Sequence, residues 1–271
     1  MTGVENLLKK IREKYPDIGT PSQKDMEELR VEWYNNSIGN LNEIDGYDCS
    51  LCKNKGFISK LDDNGNEVLQ YCKCEKIRAT LRRAKRSGLG DILKDYTFAK
   101  FDDKEDWQKT IKTKAQEFCT DENAKWFYIG GQVGCGKTHL CTSIAAHYIK
   151  AGNEVRYMIW AEESKKLKAN VNDDSYQSMI SEYKDVDVLY IDDFLKVKNG
   201  ENPTTADINL AFEIINHRLL SNNKITIISS EKILDEIMDY DEATMSRIYQ
   251  KTGQYKFGIG KDRNKNYRLR G

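Results

Sequence analysis

The stretch "WFYIGGQVGCGKTHL", residues 126–140, constrains the fold of this chain more than any other. Trp126, Phe127, Tyr128 and Ile129 read as a buried strand. Gly131, Gly136, Lys137 and Thr138 follow at the spacing G-x-x-x-x-G-K-T, and residues 137–151 carry a helical pattern. Strand, glycine loop and helix in this order form a phosphate cradle. The glycines let the backbone curl so that successive N–H groups point at phosphate oxygens, and the helix N-terminus adds partial positive charge. Lys137 can reach the β- and γ-phosphates, and Thr138 can ligate Mg²⁺. Gly131, Gln132, Val133, Gly134, Cys135, Gly136, Lys137, Thr138 and His139 are the expected nucleotide-binding set. Cys135 reads as a small apolar filler, the usual role of a free cysteine.

From Trp126 onward strands alternate with helices. Strands are predicted at 125–131, 154–160, 186–191 and 224–230. The intervening segments are predicted helical: 137–151, stretches up to about 184, 205–221 and a short helix at 231–238. The pattern predicts a parallel sheet covered by helices. Residues 196–205 form a polar loop. In "VDVLYIDDF", residues 186–194, an apolar strand ends in two acids. In a parallel sheet that strand ends on the edge where the glycine loop begins. Asp192 there can hold Mg²⁺ through a water, and Asp193 can orient an attacking water. The competing account of Asp193 is a helix cap or a solvated loop acid.

With 271 residues, two domains are expected. Residues 1–90 read as a helical and zinc-binding partner domain, 91–102 as a linker and 103–271 as the nucleotide domain. Cys49 and Cys52, then Cys72 and Cys74, give C-x₂-C and C-x-C pairs around a hairpin signalled by Asn64-Gly65. Four soft ligands in two tight pairs suit a tetrahedral zinc ion. So short a segment lacks a good core, and a metal would supply its folding energy. His139, His147 and His217 fall in predicted helices far from these pairs. Helices are predicted over 4–15 and from about Ser22, after Pro21, to Tyr34, with Met26, Leu29 and Trp33 on one stripe. A basic helix follows the cysteines, with Lys76, Arg78, Arg82, Arg83, Lys85 and Arg86, and ends near Gly88. It is either a footprint for nucleic-acid phosphates or a solvated face.

The 43 basic and 43 acidic residues cancel, so any basic surface is local. No run of 18 apolar residues and no apolar leader is visible, and seven cysteines, an odd count, argue against a disulfide framework. A cytoplasmic protein without a membrane partner is expected.

The loop "GQVGCGKT", the strand end "YIDD", the strand "ITIISS", then "MSRI" and the terminal "NYRLR" fall in an order that resembles the AAA+ helicase loaders of the DnaC/DnaI/IstB group. The cysteine-rich segment joined by "YTFAKF" is similar to the bacterial and phage replication members. The resemblance implies an AAA+ P-loop core, a parallel five-stranded sheet between helices, without a helical lid, since only about twelve residues follow "KFGIG". It implies a polar sensor at Ser230 or its neighbour Ser229. It implies an arginine finger at Arg247, which completes the site of an adjacent subunit. Arg268 falls in the terminal Tyr-Arg motif, near Tyr267 and Arg270, with its role open. The implied function is ATP-dependent loading of the replicative hexameric DNA helicase. ATP, Mg²⁺ and Zn²⁺ would be the cofactors, and the partners would be the helicase through the N-terminal domain, single-stranded DNA, and further copies of the chain. Alternatives are an IstB-like transposition ATPase, a zinc-containing DNA-binding regulator with a P-loop, and a small-molecule kinase. Asp193 stands where many AAA+ proteins carry the longer Glu, so slow basal hydrolysis is expected; a 1 Å misplacement can cost ~10²-fold in rate.

Overall fold

Five parallel strands carry the larger part of the chain: β3 (Trp126–Gly131), β4 (Val155–Ile159), β5 (Val188–Asp192), β6 (Ile225–Ser229) and β7 (Lys256–Ile259). Their order across the sheet is β4-β5-β6-β3-β7. Every residue of the three inner strands β3, β5 and β6 is buried. They accordingly read as continuous apolar runs rather than alternating ones. Side chains nevertheless alternate between two faces. Phe127 and Ile129 enter one core with Phe118, Leu140, Ile144 and Ile227. Trp126 and Tyr128 enter the other with Leu189, Leu210, Ile214 and Ile248.

The computed structural model describes residues 23–197 and 201–269. The helix expected over 4–15, the start signal at Pro21 and Ser22, and Arg270 lie outside the described residues. The chain divides into two compact units between Arg82 and Arg83.

In the first unit, α1 (Gln23–Asn36) and α2 (Leu41–Asp45) precede a hairpin of β1 (Phe57–Leu61) and β2 (Glu67–Tyr71). The turn runs through Asn64 and Gly65 as expected. The Asp62 carboxylate accepts from the backbone N–H of Asn64 and Asn66, both at 2.9 Å. The α1 stripe is only partly core: Leu29 is buried, but Trp33 is 53% exposed. The unit's apolar cluster consists of the four cysteines with Tyr47 and Ile58 against them. Helix α3 (Cys74–Arg86) begins in this unit and crosses the division.

In the second unit, residues 91–102 form α4 (Ile92–Asp95) and a 3-10 turn (Phe98–Lys100), and Phe101 is buried in the first core cluster. Helix α5 (Asp106–Thr120) opens with a reciprocal cap between Glu105 and Gln108 and buries Ile111, Ala115 and Phe118. Around the sheet follow α6 (Lys137–Ala151), α7 (Trp160–Ala169), α8 (Tyr176–Lys184), α9 (Thr205–Leu219), α10 (Leu234–Met238) and α11 (Glu242–Thr252). Arg218 of α9 is fully buried. Its guanidinium donates to the Tyr183, Val186 and Ile225 carbonyls and to Thr226 Oγ1, at 2.6–3.1 Å. It thus ties α8, β5 and β6 together.

Candidate nucleotide and metal sites

The glycine loop leaves β3 and ends at the first turn of α6. Gly131 has φ 104°, and a Cβ there would meet the Ile259 carbonyl oxygen at 2.0 Å. Gly134 is as tightly placed, with Asn266 Oδ1 2.0 Å from where its Cβ would lie. The loop is pinned from β7 and beyond. Gln132 N–H donates to Ile259 O at 2.9 Å, Gln132 Oε1 accepts from Asp262 N–H at 2.9 Å, and Tyr267 N–H donates to Gly134 O at 3.0 Å. Lys137 is buried and donates to the carbonyls of Gly131 (2.9 Å) and Gln132 (2.7 Å). Those are bonds it can trade for phosphate oxygens.

Thr138 and Asp192 meet at the sheet edge. Thr138 Oγ1 donates to Asp192 Oδ1 at 3.2 Å. Asp192 is 7% exposed and receives two further hydroxyls: Ser229 on Oδ1, and Tyr157 on Oδ2 at 2.8 Å. A buried carboxylate held by three hydroxyls, one of them that of Thr138, suits a hard, oxygen-seeking divalent ion.

The hydroxyl that reaches Asp192 belongs to Ser229, whereas Ser230, the first choice from sequence, donates to Phe194 O at 3.0 Å. Strand β6 alternates, so neighbouring serines face opposite ways. Ser229 Oγ also accepts from Asp193 N–H at 3.2 Å. Asp193 stands at φ 54°, where the chain leaves β5 sharply. Its Oδ2 accepts from Lys196 Nζ at 2.8 Å, and Lys196 also reaches Glu231 at 2.8 Å.

Val133 is exposed, and Cys135 is buried in the first core, where burial pushes its thiol up. His139 packs away from the loop. Its ring stacks on Tyr96 at 4.9 Å, its edge meets Phe101, and Nε2 lies 2.8 Å from Thr97 O. Burial holds its pKa below the usual 6.5. Arg247 lies on the exposed side of α11, where Nη1 donates to Asn216 Oδ1 at 2.8 Å. Arg268 is exposed next to Tyr267, whose ring lies 6.5 Å from that of Trp107. His147 lies in α6, and His217, in α9, pairs with Asp185 at 3.0 Å.

In the first unit the four cysteine sulfurs all lie within 4.8 Å of one another. Cys49 and Cys72 are 3.8 Å apart, and Cys52 and Cys74 are 3.6 Å apart. A tetrahedral ion with Zn–S bonds of about 2.3 Å sets its sulfurs about 3.8 Å apart, so the donors fit zinc. Burial raises the thiol pKa values of Cys72 and Cys74, the latter to about 12. For Cys52 the Gly56 N–H and the neighbouring thiols outweigh burial and bring it to about 7. Arg78 sits beneath the cluster, fully buried, with Nη1 2.5 and 2.6 Å from the two Asp45 oxygens and Nη2 3.0 Å from Asn54 Oδ1.

Four cations of the basic helix are engaged within the fold. Arg78 is held by Asp45 and Arg82 by Glu75. Arg83 donates to Ile149 O at 3.2 Å, and Arg86 pairs with Glu154 at 2.5 Å. The helix is chiefly structural, which weakens its reading as a phosphate footprint. Sequence reasoning missed Tyr157 altogether, because an aromatic in a strand looks like core.

A five-stranded parallel sheet with a glycine loop leaving an inner strand, and a buried aspartate at the end of another beside the loop's threonine, defines an AAA+ P-loop ATPase core. The family model "IstB-like ATP binding protein" matches residues 56–247, and the chain belongs to that family. It is 34% identical over 211 residues to "Uncharacterized protein YqaM" of Bacillus subtilis (strain 168), covering 74% of this chain and 66% of that protein. It thus spans just under two thirds of that relative's length. It is 31% identical over 238 residues to "Phage-like element PBSX protein XkdC" of the same organism, covering 83% of this chain and 87% of that one. Among solved structures, the DnaC helicase loader superposes with a TM-score of 0.52 at 17% identity, over 64% of this chain and 100% of that chain. DnaI superposes at 0.51 and 19%, over 62% and 92%. Likenesses at such identities show the fold. Among the described residues no helix is long and apolar enough to cross a membrane.

Proposed function

We propose that this protein is an ATP-switched loader of a replicative hexameric DNA helicase. The N-terminal part, through about residue 90, would grip the helicase. The nucleotide domain, from about residue 103, would bind ATP and Mg²⁺, assemble with further copies and contact single-stranded DNA. The observation that carries the reading is a four-cysteine cluster fit for a metal on one chain with an AAA+ core of the DnaC and DnaI fold.

Lys137 neutralises the β- and γ-phosphates, and the loop N–H groups hold their oxygens. Thr138, and Asp192 through a water, would hold Mg²⁺, and the ion would supply positive charge for the transferring phosphate. Ser229 keeps Asp192 in place and stands where a polar sensor is wanted, in preference to Ser230. Asp193 orients the attacking water. It must first give up Lys196, which together with its short side chain makes basal hydrolysis slow. Arg247, exposed on α11, serves the site of an adjacent copy. Cys49, Cys52, Cys72 and Cys74 bind zinc and fold the first unit.

The test is a pull-down of the cognate helicase with and without ATP, repeated with Lys137→Ala and with residues 1–90 deleted. The loader reading requires ATP-sensitive capture by the full chain, lost on deletion. Absence of capture together with absence of any effect on helicase loading overturns it. The matching family is named for IstB-like proteins, which favours a transposition ATPase as second reading. Stimulation of hydrolysis by a transposase, with no response to helicase, would select it.

A further inference from the structure

Asp192 is the one acid in the nucleotide site whose two oxygens are held by different parts of the sheet edge. Oδ1 faces Thr138 and Ser229, and Oδ2 faces Tyr157. We infer that Tyr157 is a positioning residue that fixes the rotation of the Asp192 carboxylate and so sets the affinity of the nucleotide site for Mg²⁺. The inference rests on the ATP·Mg²⁺ reading of that site and names a residue which that reading does not use.

The terminal torsion of an aspartate is soft and roughly two-fold, so an unanchored carboxylate swings between orientations. Mg²⁺ tolerates little such freedom, because it demands near-ideal octahedral geometry and keeps several waters. Tyr157 supplies the anchor. It lies on β4 opposite Tyr190 of β5, and Ile159 lies opposite Asp192, so the phenol runs along the strand pair toward the carboxylate. Its ring packs 5.0 Å from that of Tyr190, which fixes the arm. Its hydroxyl meets Oδ2 at 2.8 Å. With Oδ2 tied to Tyr157, Oδ1 is turned toward Thr138 and Ser229. Groups that orient a metal-holding carboxylate are typically worth 10–100-fold in metal affinity.

The test uses the full-length protein and Tyr157→Phe, which keeps the ring and removes only the hydroxyl. The primary readout is binding rather than turnover. The affinity for a fluorescent ATP analogue is measured in EDTA and then across a Mg²⁺ titration. In EDTA the two proteins should bind the analogue within about twofold. The Mg²⁺ concentration giving half of the affinity gain should rise roughly tenfold in Tyr157→Phe. A purely structural tyrosine would instead weaken binding equally with and without Mg²⁺, and that result overturns the inference, as does an unchanged Mg²⁺ midpoint. Failure of the wild type itself to bind the analogue more tightly with Mg²⁺ would overturn the ATP·Mg²⁺ reading first. The two failures are therefore told apart.

Discussion

Lys137 lies folded onto the carbonyls of its own loop, so nucleotide binding exchanges one set of oxygens for another. Lys137→Ala should therefore lower hydrolysis about 10²–10³-fold, the usual cost of removing one charge-stabilising donor, as read by phosphate release. Ser229→Ala should slow hydrolysis markedly, whereas Ser230→Ala, whose hydroxyl serves Phe194, should change it little; equal effects would show that the register of β6 does not matter. His139 gives a pH signature. Its folded pKa lies below the unfolded 6.5, so below that value the unfolded chain takes up a proton that the folded one refuses. Its contribution is present above pH 6.5 and is lost as pH falls through the folded pKa. Replacing His139 by Gln should flatten the fall of the melting temperature between about pH 7 and 5. Lys137, Thr138 and Asp192 were legible because their chemistry requires fixed spacing or a strand end. Ser229 was legible only as one of two neighbouring serines, and Tyr157 not at all, since a one-residue register and a strand-to-strand contact depend on how the sheet closes.

Helix α3 shows why charge patterns mislead at the scale of an element. The sequence displays six cations in a row, but Asp45, Glu75, Ile149 and Glu154, which engage four of them, are scattered along the chain. The β1–β2 hairpin was legible from Asn64-Gly65, and the cysteine pairs from their spacing. With no other apolar cluster around them among the described residues, metal removal by a chelator should abolish amide protection in β1 and β2 while leaving β3, β5 and β6 protected. Persistent protection of the hairpin, or a full equivalent of zinc in Cys49→Ser, would sink the four-cysteine site. Helix α5 escaped notice because its three buried apolar positions are spread through a polar, lysine-rich segment. Arg218 escaped too, being an ordinary cation in an amphipathic helix until its buried acceptors are seen. Arg218→Met should destabilise the fold by about 3 kcal/mol or more, since it strands several buried carbonyls at about 1–3 kcal/mol each, as measured by denaturant unfolding.

On the scale of the whole molecule, the strand–helix alternation gave away the parallel sheet, while its order had to come from the structure. Arg247 belongs to this scale, because on its own chain it touches Asn216 on the surface. Mixing Arg247→Ala with Lys137→Ala should restore part of the hydrolysis that each lacks alone, because each supplies what the other's interface misses. No restoration, or fast turnover by an isolated monomer, would count against a finger acting between copies. The sheet order also has a consequence for how the protein is made. The strand that carries the glycine loop, β3, lies between β6 and β7, and both are synthesised after it. On the ribosome β3 therefore has β6 only after residue 229 is made, and β7, with the Ile259 carbonyl that pins its loop, only after residue 259. The nascent chain should stay blind to ATP until β7 has been made and has docked beside β3.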